Sequence, residues 1–130
     1  RHRQLLDDMA ETMYAADGVG LAAPQVGKSL RIVVIDVQDE HGLLELVNPV
    51  ITMREGSVTE SEGCLSVPKV YGDVERAERV TVEYTDRRSR RRTLTAEGLL
   101  ARCIQHECDH LEGRLFIDIA VRLRKGEEEE

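Results

Sequence analysis

Apolar positions recur at helical spacing in two stretches of the chain. Leu5, Leu6, Met9 and Met13 stand among Asp7, Asp8, Glu11 and Thr12, which predicts an amphipathic helix over residues 4–16 that stops near Gly18. The same period returns over Leu99–Leu111, and Gly113 lies just past it as a C-terminal stop. Between them the pattern shortens. Arg31–Val37 (RIVVIDV) is a β-branched run suited to a buried strand, closed by the polar turn Gln38–Gly42. Leu43–Val47 and Val50–Met53 are two further strands, interrupted by Asn48-Pro49. Arg79–Thr85 alternates like a half-buried strand, with Arg92–Ala96 as its hairpin partner. Glu60–Pro68 shows no period and is expected to be irregular, with one compact feature around Cys64. Leu115–Val121 reads as a short strand or packed extension, and residues 122–130 as a frayed, solvated acidic tail. No internal repeat or linker interrupts the series.

Composition narrows the picture. The 130 residues suit a single domain, placed at residues 1–121. Hydrophobic residues are 41% and charged residues 33%, which argues against a membrane span and against wholesale disorder. Aromatics are only 3%, so Leu, Val, Ile and Ala must build the core. The net charge of −7 argues against DNA or anionic membranes as partners, although four of the acids are the closing Glu127–Glu130. Three cysteines without paired spacing do not read as a disulfide framework, and no stretch resembles a signal peptide, the first residues running into an amphipathic pattern. A reducing, cytoplasmic compartment is the expectation, organellar if the source is a eukaryote.

The strongest chemical signal is His106-Glu107-Cys108-Asp109-His110, an HExxH on the second helix. At about 100° per residue the two imidazoles lie one turn apart on one face, within reach of a single ion. Glu107 projects beside them, placed to hold a water without being a ligand. Two histidines do not make a stable site, so a third ligand is required. A downstream histidine would fall at Phe116, and Glu127–Glu130 sit in a charge run with no helix to hold them. Cys64, between Gly63 and Pro68, is the remaining candidate. A Cys-His-His-water set suits Zn²⁺, and Fe²⁺, Co²⁺ and Ni²⁺ are chemically compatible.

Three segments carry a resemblance. Gly18-Val19-Gly20-Leu21-Ala22-Ala23-Pro24-Gln25, Glu62-Gly63-Cys64-Leu65-Ser66 and Gln105-His106-Glu107-Cys108-Asp109-His110 resemble, in order, the signature segments of peptide deformylases. The resemblance implies an α+β fold in which antiparallel strands pack around the central HExxH helix. It implies metal-dependent hydrolysis of the formyl group from the N-terminal formyl-methionine of new polypeptides, with Fe²⁺ the preferred ion in cells. Cys64, His106 and His110 are then the metal ligands and Glu107 the general acid/base. Gln25 and the backbone N–H of Leu65 form the oxyanion pocket. Members of the family usually carry a further strand before the first helix, so a trimmed or short member is expected.

Substrate recognition is read more loosely. Val19, Leu99 and Cys103 are candidates for the apolar wall around a methionine side chain, with core packing the competing reading for the two helix residues. Backbone around Gly20 can pair with an extended peptide, and Tyr71 stands where such a peptide leaves. Arg102 and Asp109 lie near the edge of the metal-facing stripe, with partners that the sequence leaves open. Arg87, Arg88, Arg90, Arg91 and Arg92 form one basic cluster, read as a solvated hairpin tip, with a transient ribosome contact as the sharper alternative. Two rival functions remain at this stage: an HExxH zinc endopeptidase and a non-catalytic, deformylase-like peptide-binding module.

Overall fold

A computed structural model of the chain describes residues 2–64, 67–113 and 122–125. Helix α1 (Arg3–Ala15) leads into a three-residue strand β1 (Gly20–Ala22), a 3-10 turn (Ala23–Val26) and strand β2 (Ile32–Ile35). Strands β3 (Leu44–Glu55), β4 (Val58–Cys64), β5 (Val67–Arg76), β6 (Arg79–Thr85) and β7 (Arg91–Glu97) precede helix α2 (Gly98–Leu111) and strand β8 (Arg122–Lys125). The strands form two antiparallel sheets, ordered β1-β2-β3-β6-β7 and β4-β5-β8. This is the α+β arrangement expected, with α2 between them. No helix among the described residues is long and apolar enough to cross a membrane.

Strand β2 explains why the first sheet is covered on both faces. Ile32 and Val34 join Leu6, Met9 and Met13 of α1, together with Leu21 and Ala23. Val33 and Ile35 join Leu46, Val80, Val82, Leu100 and Ile104 under α2. Side chains alternate along a strand, so a continuous apolar run serves two cores at once.

Three sequence expectations change. Asn48-Pro49 does not end a strand; β3 runs unbroken for 12 residues and shifts register between Val47 and Val50. Asn48 takes a left-handed φ of +53° there, and Pro49, which has no N–H, sits at the irregularity where none is needed. Glu60–Pro68 is mostly strand, with Glu62 opposite Gly72 and Cys64 opposite Val67. The buried residue among Glu60–Gly63 is the acid Glu62, so no apolar period appears in the sequence. Arg122–Lys125, expected in the frayed tail, instead pairs with Val70–Asp73 on the outer edge of β5. Residues 115–121 and 126–130 lie outside the described residues.

Candidate metal centre and active site

The HExxH segment forms the last two turns of α2, and the helix is buried around it. His106 is 9% exposed, and Glu107 and His110 are 6% exposed. One ligand atom from each of His106, Glu107 and His110 lies within 4.8 Å of the others, and the two rings meet edge to face with centroids 5.0 Å apart. Two imidazoles and a carboxylate converging in a buried space fit a divalent first-row ion. His106 Nδ1 lies 2.8 Å from Glu62 Oε1. That contact fixes the ring and leaves Nε2 as the nitrogen able to face an ion, the usual way a carboxylate orients a metal-binding histidine.

Glu62 is held in turn. Arg76 Nε donates to its Oε2 and Arg76 Nη2 to its Oε1, each at 2.9 Å. Arg102, one turn before His106 on α2, donates to Glu62 Oε2 and to the carbonyls of Val74 and Val58. Arg76 also donates to Asp109. The partners of Arg102 and Asp109, open in the sequence, are thus residues of β4 and β5. Burial pushes the Glu62 carboxyl up, but hydrogen bonds from His106 and Arg76 outweigh it and hold the group down at about 2. Gln105, beside His106, completes the attachment. Its Nε2 donates to Ala77 O and its Oε1 accepts from Ala77 N, both at 2.9 Å.

Gln25 occupies the 3-10 turn, where its Oε1 accepts from Ala22 N–H at 2.9 Å. That bond assigns the amide: the other end, Nε2, is the donor. Pro24 presets the backbone of the turn. Gly20 lies against Glu107. A Cβ built on Gly20 would stand 2.6 Å from Glu107 Oε2 and about 3 Å from its Cγ and Cδ.

The structure places the remaining candidates unevenly. Val19, Leu99 and Tyr71 are exposed, at 42%, 57% and 43%. Cys103 is buried within the apolar cluster under α2, so it does not share the exposure of Leu99 one turn earlier. Burial, reinforced by the charges of Glu107 and Glu62, pushes its thiol up to about 12. Leu65 and the side chain of Cys64 lie outside the described residues; the Cys64 backbone ends β4. The arginine cluster is the β6–β7 turn. Arg87 pairs with Glu45 and Asp7, Arg91 with Glu83 and Arg92 with Asp86. Glu62, Arg76 and Gly20's packing against Glu107 escaped the sequence reading. The signal available was Glu62 itself, an acid two residues before Cys64 in a segment already singled out.

Comparison with known proteins is consistent across the chain. A profile described as "Polypeptide deformylase" matches residues 1–126. The chain is 57% identical to the peptide deformylase of Pelotomaculum thermopropionicum over 94% of its own length and 77% of the relative's. It is 56% identical to that of Caldicellulosiruptor bescii, over 96% and 74%. The crystal structure of a peptide deformylase from Synechococcus elongatus superposes with a TM-score of 0.87 at 53% identity, covering 91% of this chain and 66% of that one. That of Thermus thermophilus superposes with a TM-score of 0.85 at 52% identity, covering 89% and 70%.

Proposed function

The chain belongs to the polypeptide deformylase family, metal-dependent hydrolases that remove the N-formyl group from formyl-methionine peptides, and we infer that it performs this reaction at the His106–Glu107–His110 cluster. In this reading His106, His110 and Cys64 hold one divalent ion. The Cys64 backbone follows Glu62 by two residues, at roughly 3.3 Å each, and Glu62 touches His106; that connectivity supports the third ligand. When bound, the ion supplies Lewis acidity that makes a hydroxide nucleophile accessible near neutral pH. Fe²⁺ is the proposed ion in cells, with Zn²⁺, Ni²⁺ and Co²⁺ as alternative occupants of the same donor set.

The residues of the chain supply the rest. Glu107 accepts a proton from the attacking water and delivers it to the amine as the formyl C–N bond breaks, releasing formate and a free N-terminus. Gln25 Nε2 and the Leu65 N–H donate to the oxygen that gains charge. Losing one such donor typically costs about 10²–10³ in rate. Glu62 keeps the His106 ring in place. Strand β1 lies at the edge of its sheet, so its outer main-chain groups suit an extended peptide, with Gly20 permitting close approach. Val19, Leu99 and Cys103 are assigned to the methionine side and Tyr71 to the departing chain. An enzyme of nascent chains is placed in the cytoplasm, or an organelle of a eukaryote, with a transient ribosome contact.

The buried His106–Glu107–His110 constellation is the observation that carries this reading. Protein purified without oxygen and assayed for metal and for formate release from a formyl-Met peptide tests it. Glu107→Ala is expected to keep its metal and lose turnover by about 10²–10⁴. Cys64→Ala is expected to lose the metal. Formate release by Glu107→Ala at the parent rate, or unchanged metal in Cys64→Ala, overturns the respective assignment. Cleavage of internal peptide bonds without formate points instead to an endopeptidase.

A further inference from the structure

Gly20 has no conformational need to be glycine. Gly27, Gly98 and Gly113 adopt positive φ values of +82°, +63° and +81° in open space, where the backbone itself disfavours a side chain. Gly20 shows no such φ; it is an ordinary strand residue paired with Ile35. What excludes a side chain there is occupancy, because the volume its Cβ would fill is taken by Glu107. The overlap involves not only Oε2, at 2.6 Å, but also Cγ at 3.0 Å and Cδ at 3.1 Å. Turning the carboxylate tip alone cannot relieve it. The whole Glu107 side chain would have to leave its rotamer, and it is only 6% exposed among packed neighbours.

We propose that Gly20 is a positioning residue for the reaction: its missing Cβ is the socket that seats the Glu107 carboxylate beside the edge strand. The inference rests on Glu107 being the proton carrier, as assigned above. It explains why the acid/base is found beside the strand whose outer edge suits an incoming peptide. One residue, by lacking a side chain, leaves its edge open to substrate and its face open to Glu107.

A double-mutant cycle with two readouts tests this. In the metal-free protein, Gly20→Ala is expected to lower Tm by about 3 °C or more, the overpacking of a filled site. In the Glu107→Ala background the same change is expected to leave Tm unchanged or slightly raised, because the colliding side chain is gone. In the metal-loaded enzyme, Gly20→Ala is expected to lower kcat about tenfold or more with metal content unchanged, and Glu107→Asp to lower it about 10²-fold. Combining Gly20→Ala with Glu107→Ala is expected to leave the residual rate of Glu107→Ala unchanged within about threefold, since the side chain that meets the methyl is gone. Losses that multiply, or a Tm decrease that persists in Glu107→Ala, overturn the socket while leaving the role of Glu107 intact. Full activity of Glu107→Asp and Glu107→Ala overturns it together with the assignment on which it rests.

Discussion

The face of α2 that meets the five-stranded sheet carries Leu100, Ala101, Cys103 and Ile104, packed on Val33, Ile35, Leu46, Val80 and Val82. The face that meets β4 and β5 carries Arg102, Gln105, His106 and Asp109, bonded to Glu62, Arg76, Ala77 and the carbonyls of Val58 and Val74. Both bury the helix, by unlike physics. Apolar packing is non-directional and degrades in proportion to the area or volume lost. The ionic face is directional. The Glu62 carboxylate alone receives contacts from His106, Arg76 and Arg102, and desolvation of buried charges is offset only when the pairing is complete. The first face sets where the helix lies. The second sets which way an imidazole on it points, a finer requirement that apolar contacts cannot meet.

Removing one ionic partner should therefore cost the most. Arg76→Met takes from Asp109 its buried counter-charge and leaves Glu62 with Arg102 alone, and is expected to destabilise by about 3–5 kcal/mol in urea unfolding. A cost near zero would mean that the network is merely decorative. Next comes the apolar side. Ile104→Ala is expected to cost about 3 kcal/mol by the same measurement, while the affinity of the apoprotein for Co²⁺ changes far less than in Arg76→Met. Equal losses of affinity in the two variants would erase the contrast.

Alkaline pH gives a smaller effect confined to the apolar face. The Cys103 thiol is pushed up to about 12, above its unfolded value near 8.5, so between those values the native state holds the proton that the unfolded state has lost. Stability then falls as pH rises above about 8.5, by up to about 1.4 kcal/mol per unit for this thiol, and the slope is reduced but not abolished in Cys103→Ala, because burial pushes the Cys108 thiol up to about 12 as well. Iodoacetamide at pH 9 should leave Cys103 unlabelled in the folded protein. Smallest of all is Arg87→Ala, which removes half-exposed pairs with Glu45 and Asp7 at the far hairpin. It is expected to shift stability by less than about 1 kcal/mol, a reference point for ion pairs that water still screens.

The same contrast decides what could be read from the sequence. The apolar face announced itself through period: Leu99–Leu111 matches α2 to within one residue, and RIVVIDV contains β2. HExxH was legible because helical spacing alone brings two histidines together. Strands β4 and β5 were not legible, since their buried positions include Glu62 and Arg76, and a charged residue looks solvated until its partner is known. Arg102 and Asp109 could be noticed but not paired, because their partners lie 40 and 33 residues away. The socket at Gly20 has no sequence signal beyond the glycine itself. Its meaning depends on a contact between β1 and α2.

Strand β2, apolar on both sides, could slide by one residue and still present Val and Ile to each core. Hydrophobicity therefore does little to choose its alignment, in contrast to strands with one wet face. The choice falls to polar clamps at its ends. Asn48 N–H donates to Arg31 O at 2.7 Å, and Asp36 N–H to Val19 O at 2.9 Å. Were these clamps to close one step out of place, Gly20 would be carried roughly 3.3 Å along β2. The carboxylate of Glu107 would then meet a neighbour bearing a side chain. Two main-chain bonds at the ends of a short strand thus hold the alignment on which the fit between Gly20 and Glu107 depends.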